Sequence, residues 1–158
     1  MKTNKLFTDL TKIVGEKNII TNDEDLTKYN NDWRGFYNNK SLCVLFPDKL
    51  EVIKKIVTYC YKKNIKIVPQ GGNTSLTGAS IPTYINKEII INFSKLNKIL
   101  EIDKNNLTML VESGSILANI KECLDKENYY FPIDLSSSGS CMIGGNIATN
   151  AGGINALK

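Results

Sequence analysis

Leu6, Phe7, Leu10, Ile13 and Val14 recur at three- and four-residue spacing, which predicts an amphipathic helix from about Asn4 that ends at Gly15. The polar stretch Thr21 to Asn31 accommodates a second short helix starting near Asn22. Tyr29 to Gly35 mixes turn formers with one large aromatic, so a loop pinned by Trp33 is expected there. Leu42 to Phe46 is an apolar run stopped by Pro47 and predicts a buried strand. Asp48, with Glu51 three residues later, has the form of a capping box. The helix it opens carries Val52, Ile53, Ile56, Val57 and Cys60 on one face to about Lys63, where Asn64 supplies a left-handed terminus. A strand at Ile65 to Val68 follows, and strand, helix and strand joined by short links predict a right-handed crossover with a parallel pair.

Further on, strands are expected at Glu88 to Asn92, Lys98 to Asp103 and Leu107 to Glu112. The last two are joined by Lys104 to Asn106 as an antiparallel hairpin. Ser113 to Ser115 opens a helix that buries Ile116, Leu117, Ile120, Cys123 and Leu124, and from Tyr129 the chain becomes rich in glycine, serine and asparagine. The change from parallel to antiparallel pairing near Ile85 suggests an α+β fold of two lobes. The division expected is a helical segment and loop at 1–40, a first α/β lobe at 41–84, and the start of a second α+β lobe at 85–158.

Composition narrows the chemistry. At 158 residues, 42% hydrophobic and 23% charged, the chain fits one ordinary globular domain or two very small ones and not a disordered chain. No apolar run approaches the ~18 residues of a membrane span, so a soluble protein is expected. The net charge of +4 comes from lysines spread along the chain, which gives no case for nucleic acid as a partner. With no histidine, a Ser/His/Asp or Cys/His catalytic device, an HExxH zinc site and a histidyl-linked cofactor are excluded within this chain. The four cysteines lack any CxxC spacing and read as reduced core thiols, from which an intracellular, cytoplasmic location is expected. Neither a catalytic residue nor a metal-ligand set is identified.

Two glycine-rich segments carry the functional signal. The first, Gln70-Gly71-Gly72-Asn73-Thr74-Ser75 through Gly78-Ala79-Ser80, comes directly after a strand. Paired glycines followed by small hydroxyl residues let successive main-chain N–H groups face one concavity that holds phosphate oxygens without a cation. No lysine follows Gly78 and the spacing is not GxGxxG, so neither a Walker loop nor a Rossmann turn is present. An ordinary turn between lobes is the alternative. In the second segment, Phe131 to Gly153, the pairs Gly144-Gly145 and Gly152-Gly153 flank small or amide side chains apart from Ile147. Glycine inside a helix costs roughly 1 kcal/mol relative to alanine, so these pairs need a compensating close approach, by a flat ring system or by a packed sheet.

Taken together, V-P-Q-G-G-N-T-S-L-T-G and P-I-D-L-x-x-x-G-S-C-x-I-G-G-N-I-A-T-N-A-G-G resemble the flavin domain of the vanillyl-alcohol-oxidase (PCMH-type FAD-binding) superfamily. The narrower resemblance is to the branch of D-2-hydroxyglutarate dehydrogenase, D-lactate dehydrogenase and glycolate oxidase flavin subunits. Tyr29-Asn30-Asn31-Asp32-Trp33, Phe46-Pro47-Asp48 and Val111-Glu112-Ser113-Gly114 match as well, so the resemblance covers nearly the whole chain.

The resemblance implies FAD extended between two α+β lobes. By it, Gln70, Gly71, Gly72, Asn73, Thr74 and Ser75 wrap the pyrophosphate through main-chain amides, with hydroxyls of Thr74 and Ser75 adding hydrogen bonds, and Gly78, Ala79 and Ser80 close the loop. Pro132, Leu135, Gly139 and Ser140 line the ribityl and ring side. Ile143, Gly144, Gly145 and Asn146, with Thr149, Asn150, Ala151, Gly152 and Gly153, approach the cofactor along its length. The absence of histidine implies noncovalent FAD, and Cys141 reads as a core thiol. Asp134 is expected to cap the serine turn rather than act as a base.

The implied activity is hydride transfer from the α-carbon of a small D-2-hydroxy acid to flavin N5, with an unknown electron acceptor. The base and the substrate ligands fall in the family's carboxy-terminal half, so a chain ending at Lys158 is expected to hold part of the FAD site without turning over alone. Ser136-Ser137-Ser138 departs from the family's usual glycine, alanine and lysine and removes a cation near the cofactor. A noncatalytic nucleotide- or partner-binding module using the same loop is the alternative function.

Overall fold

The structure, a computed structural model, describes residues 2–83 and 87–155, with side chains from Lys5 onward. It divides into two compact units, Met1–Lys95 and Leu96–Lys158.

The first unit is built on a four-stranded sheet. Its elements are α1 (Lys2–Val14), β1 (Ile19–Ile20), α2 (Asp23–Asn30), β2 (Val44–Leu45), α3 (Leu50–Lys63), β3 (Lys66–Gln70) and β4 (Glu88–Asn92). The strand order is β1-β2-β4-β3, with β2 and β3 each parallel to β4 and β1 antiparallel to β2. The crossover pair expected from the sequence therefore forms with β4 inserted between its two strands. β4 is buried along its whole length. Ile89 and Ile91 pack with Leu10, Val14, Ile56 and Cys60 of α1 and α3, while Ile90 packs with Leu26 of α2, Val44 and Phe46. This alternation is the two-residue period of a strand covered on both faces, and each isoleucine contributes roughly 1.5–3 kcal/mol by burial.

Local signals fare unevenly. Asn22 caps α2, its side chain accepting the Asp25 N–H at 2.8 Å, and Asn64 ends α3 at φ 50°, ψ 44°. The capping box at Asp48 does not form: α3 begins at Leu50, so Lys49 is the cap residue and Glu51 pairs with Lys54 at 2.8 Å instead. Asp48 stands one position too early to reach the helix amides. Val57, expected on the buried face, is exposed. Trp33 does not pin its loop, being 67% exposed; buried Asp32 does so, accepting the Tyr37 N–H at 2.8 Å.

The second unit contains the hairpin β5 (Ile99–Asp103) and β6 (Thr108–Val111), then α4 (Leu117–Lys126) and α5 (Ile143–Ala148). Ile120, Leu124 and Ile143 form its core with Ile102, Met109, Val111, Tyr129 and Phe131. The division between units differs from the one read from the sequence. β4 belongs to the first sheet, so the break comes after Lys95, and α1 is part of the first unit through its packing on α3. Ile85, where the change of pairing was expected, lies outside the described residues. Among the described residues no helix is long and apolar enough to cross a membrane.

Candidate functional site

The first glycine-rich segment leaves the end of β3 and is fixed by side chains rather than by a ladder. Gln70 is buried, and its amide is fully employed. Nε2 donates to the carbonyls of Tyr29 and Ser80, each at 2.9 Å, and Oε1 accepts from Asn92 at 3.4 Å. Its side chain thus ties the two ends of the loop together. Asn73 takes the left-handed turn at φ 54°, a conformation asparagine tolerates. Its Nδ2 donates to the Asn31 carbonyl at 2.7 Å, and its Oδ1 accepts the Ser80 hydroxyl at 2.7 Å. The Ser75 hydroxyl is used internally, lying 3.0 Å from the Thr77 hydroxyl and accepting the Thr77 N–H at 3.2 Å. The turn closes where the Ile81 N–H meets the Gly78 carbonyl at 3.0 Å.

What these bonds leave is a run of donors. Among the described residues, none accepts a hydrogen bond from the main-chain N–H of Gly71, Gly72, Asn73, Thr74 or Ser75. Consecutive amides in a turn, held in place and not consumed, make an anion-binding concavity. An unsatisfied buried amide is costly, so half-buried donors of this kind favour an acceptor-rich ligand.

The segment from Asn31 to Tyr37 supports this loop, a role the sequence reading did not assign. Besides the Asn31 carbonyl, Arg34 Nη2 donates to the Leu76 carbonyl, and the Tyr37 ring packs on Gly78 so closely that a Cβ there would meet it at 2.7 Å. Gly78 also has φ +69°, so glycine is required there on two counts. Asp32 Oδ2 lies 3.7 Å from Arg34 Nε, and the Tyr37 amide, followed by those of Arg34 and Phe36, holds the Asp32 carboxyl below the usual carboxylate range. The motif Tyr29 to Trp33 was visible in the sequence, but no periodicity connects it to a loop forty residues away.

In the second unit the glycines have different surroundings. Gly144, on α5, faces Ser113: an added Cβ would lie 2.7 Å from the Ser113 Cβ and 2.8 Å from its carbonyl oxygen, which also accepts the Gly144 N–H at 2.9 Å. Gly153 abuts the Asp134 carbonyl. Gly145 and Gly139 have open space where a Cβ would be. Of the alternatives for the glycine pairs, close internal packing accounts for Gly144 and Gly153, and the approach of another body is left to Gly145. Asn146 is buried with Nδ2 3.6 Å from Cys141 Sγ, and the Thr149 hydroxyl donates to the Gly145 carbonyl at 2.8 Å. Pro132 and Leu135 are half-buried, while Ser140 and Asn150 are exposed. Asp134 does not cap the serine turn. It pairs with Lys121 at 3.0 Å, and the Ser138 side chain bonds Leu135 in its place.

All four cysteines are free thiols, three of them buried. Burial, aided by the neighbouring Cys60, pushes the Cys43 thiol up to about 12, and burial alone pushes Cys60 to about 11. Both are inert at neutral pH.

A run of unengaged amides after a parallel strand in one unit and a glycine-rich helix in the other are features of a class of flavin-binding domain. Residues 41–158 match the family described as FAD binding domain, and the chain belongs to that family. Its cofactor is FAD, and its fold is shared with p-cresol methylhydroxylase, with TM-score 0.77 at 22% identity over 91% of this chain and 28% of that one. The chain is 40% identical over 147 residues to the mitochondrial D-2-hydroxyglutarate dehydrogenase of Arabidopsis thaliana, covering 93% of this chain and 26% of that protein. It is 31% identical over 153 residues to D-2-hydroxyglutarate dehydrogenase of Stutzerimonas stutzeri, covering 97% and 32% respectively. It therefore spans about a quarter to a third of the length of these relatives. The fold is also that of alkyldihydroxyacetonephosphate synthase, with TM-score 0.84 at 20% identity over 95% of this chain and 32% of that one.

The expected cytoplasmic location is corrected by these relatives, since the plant protein and the zebrafish and rat dehydrogenases are named as mitochondrial. The reason is physical: unpaired thiols report a reducing environment and do not distinguish one reducing compartment from another.

Proposed function

We propose that the chain is the flavin-binding region of an FAD-dependent dehydrogenase of D-2-hydroxy acids, with D-2-hydroxyglutarate as the substrate and FAD held noncovalently. The observation that carries this reading is the set of five consecutive main-chain donors, Gly71 to Ser75, left without an internal acceptor on a loop that side chains hold fixed. Two phosphates offer the acceptors these donors lack. Within the second unit, Gly139 and Gly145 are open where a Cβ would stand, which leaves room for a flat group close to the main chain. When bound, FAD supplies the hydride acceptor.

The residues of this chain bind and orient. The loop amides fix the diphosphate, Gln70 and Asn73 hold the loop, and the small residues of α5 leave space for a planar group. The groups that take the hydroxyl proton and hold the substrate carboxylate are proposed to lie outside this chain. Noncovalent binding is supported by the lack of histidine and by the burial of Cys141 with its thiol against Asn146.

The test uses the polypeptide that carries this chain. It is expected to purify yellow, to release all flavin on denaturation, and to be bleached anaerobically by D-2-hydroxyglutarate faster than by D-lactate or glycolate. A colourless protein that takes up no FAD would overturn the binding reading, and bleaching by glycolate alone would overturn the substrate.

A further inference from the structure

We propose that Arg34, braced by Asp32, is a cofactor-positioning residue that keeps the glycine-rich loop in its phosphate-binding conformation; this rests on the reading that the loop holds FAD. The peptide unit between Leu76 and Thr77 stands one peptide beyond the five free donors. Its carbonyl accepts from Arg34 Nη2, and its N–H donates to the Ser75 hydroxyl at 3.2 Å. Pinned at both ends, this peptide cannot turn its oxygen toward the concavity, where a carbonyl dipole would repel phosphate.

Three features make the position specific to a guanidinium. Arg34 is the only arginine among the 20 lysines and arginines of the chain. It donates one hydrogen bond, from Nη2 to the Leu76 carbonyl, and forms an ion pair with the Asp32 carboxylate 3.7 Å from Nε, which itself has no hydrogen-bond partner among the described residues, while Cζ lies over the Phe36 ring, 4.7 Å from its centroid. An ammonium is a point charge on a flexible stem and cannot hold the carbonyl bond and the flat contact with the Phe36 ring together. The Asp32 side chain is itself almost wholly buried and fixed by the Tyr37 amide at 2.8 Å, so the brace is rigid. No lysine or arginine occurs between Gln70 and Thr83, and among the described residues Arg34 is the cation that bonds the loop.

The test measures dissociation constants of FAD, ADP and riboflavin for the wild-type polypeptide that carries this chain and for Arg34→Lys, Arg34→Met and Asp32→Asn. Flavin fluorescence reads FAD and riboflavin, competition reads ADP, and thermal midpoints of the apoproteins are taken alongside. Loss of a charge-assisted bond predicts FAD and ADP weakened by about tenfold or more in Arg34→Met. Riboflavin, which has no phosphate, should change by less than about twofold. Arg34→Lys keeps the charge and the fold and is expected to recover little of the loss, and Asp32→Asn should fall between. FAD binding by Arg34→Lys at the wild-type level, or equal losses for riboflavin and FAD, would overturn the proposal. A wild type that binds no FAD would instead overturn the parent reading.

Discussion

The two glycine-rich segments look alike in sequence and are put together in opposite ways. Around Gly71 and Gly72 the main chain is held from outside, by Gln70, Asn73 and the Asn31–Tyr37 segment, and its amides stay free. Around Gly144 and Gly153 the glycines are themselves the contact, pressed against Ser113 and the Asp134 carbonyl, and the Gly144 amide is bonded internally. A glycine pair therefore has two uses: to free backbone donors for a ligand, or to let two pieces of the same backbone meet.

The strongest way to break this contrast is Gly78→Ala. A side chain there combines a left-handed φ of +69° with a Cβ 2.7 Å from the Tyr37 ring, and about 2–4 kcal/mol should be lost in urea denaturation. An unchanged midpoint would show that the Asn31–Tyr37 segment does not support the loop. Gly144→Ala comes next. Overpacking against the Ser113 backbone costs about 1–3 kcal/mol, and better helix propensity returns about 1 kcal/mol, so a small net loss of stability is expected. Gly145→Ala sharpens the comparison because its sign reverses. With open space around it, the apoprotein should gain about 0.4–1 kcal/mol while FAD affinity falls. A stabler protein with undiminished affinity would remove Gly145 from the cofactor site.

The smallest expected effect concerns Asp32. Its carboxyl is held below the ordinary 3.8, so the folded state prefers it ionised. Its contribution to stability is complete above the unfolded value and is lost as pH falls through the lowered folded one. Asp32→Asn should flatten the acid limb of the stability profile below pH 3.8 and leave neutral behaviour little changed in slope.

Much of the fold was legible because it is local. Asn22 and Asn64 mark their helix ends, β4 matches the run Glu88–Asn92, and the hairpin at Lys104–Asn106 follows from its turn formers. The insertion of β4 between β2 and β3 was not legible, since no spacing within the chain encodes which strand a run of isoleucines will join. The candidate site was legible as two motifs and a resemblance. The supports were not: Arg34 meets Leu76 across forty-two residues, and Asp32 and Trp33 exchange the roles that side-chain size suggests, the small carboxylate buried and the indole exposed.

Amide hydrogen exchange across residues 68–77, read with and without FAD, tests the free-donor cradle most directly, with the peptide containing Gly144 as an internal control. Fast exchange at Gly71 to Ser75 in the apoprotein, and strong protection there on adding FAD, is the expected result, with the Gly144 amide protected in both states. Equal protection of residues 71–75 with and without FAD would contradict it.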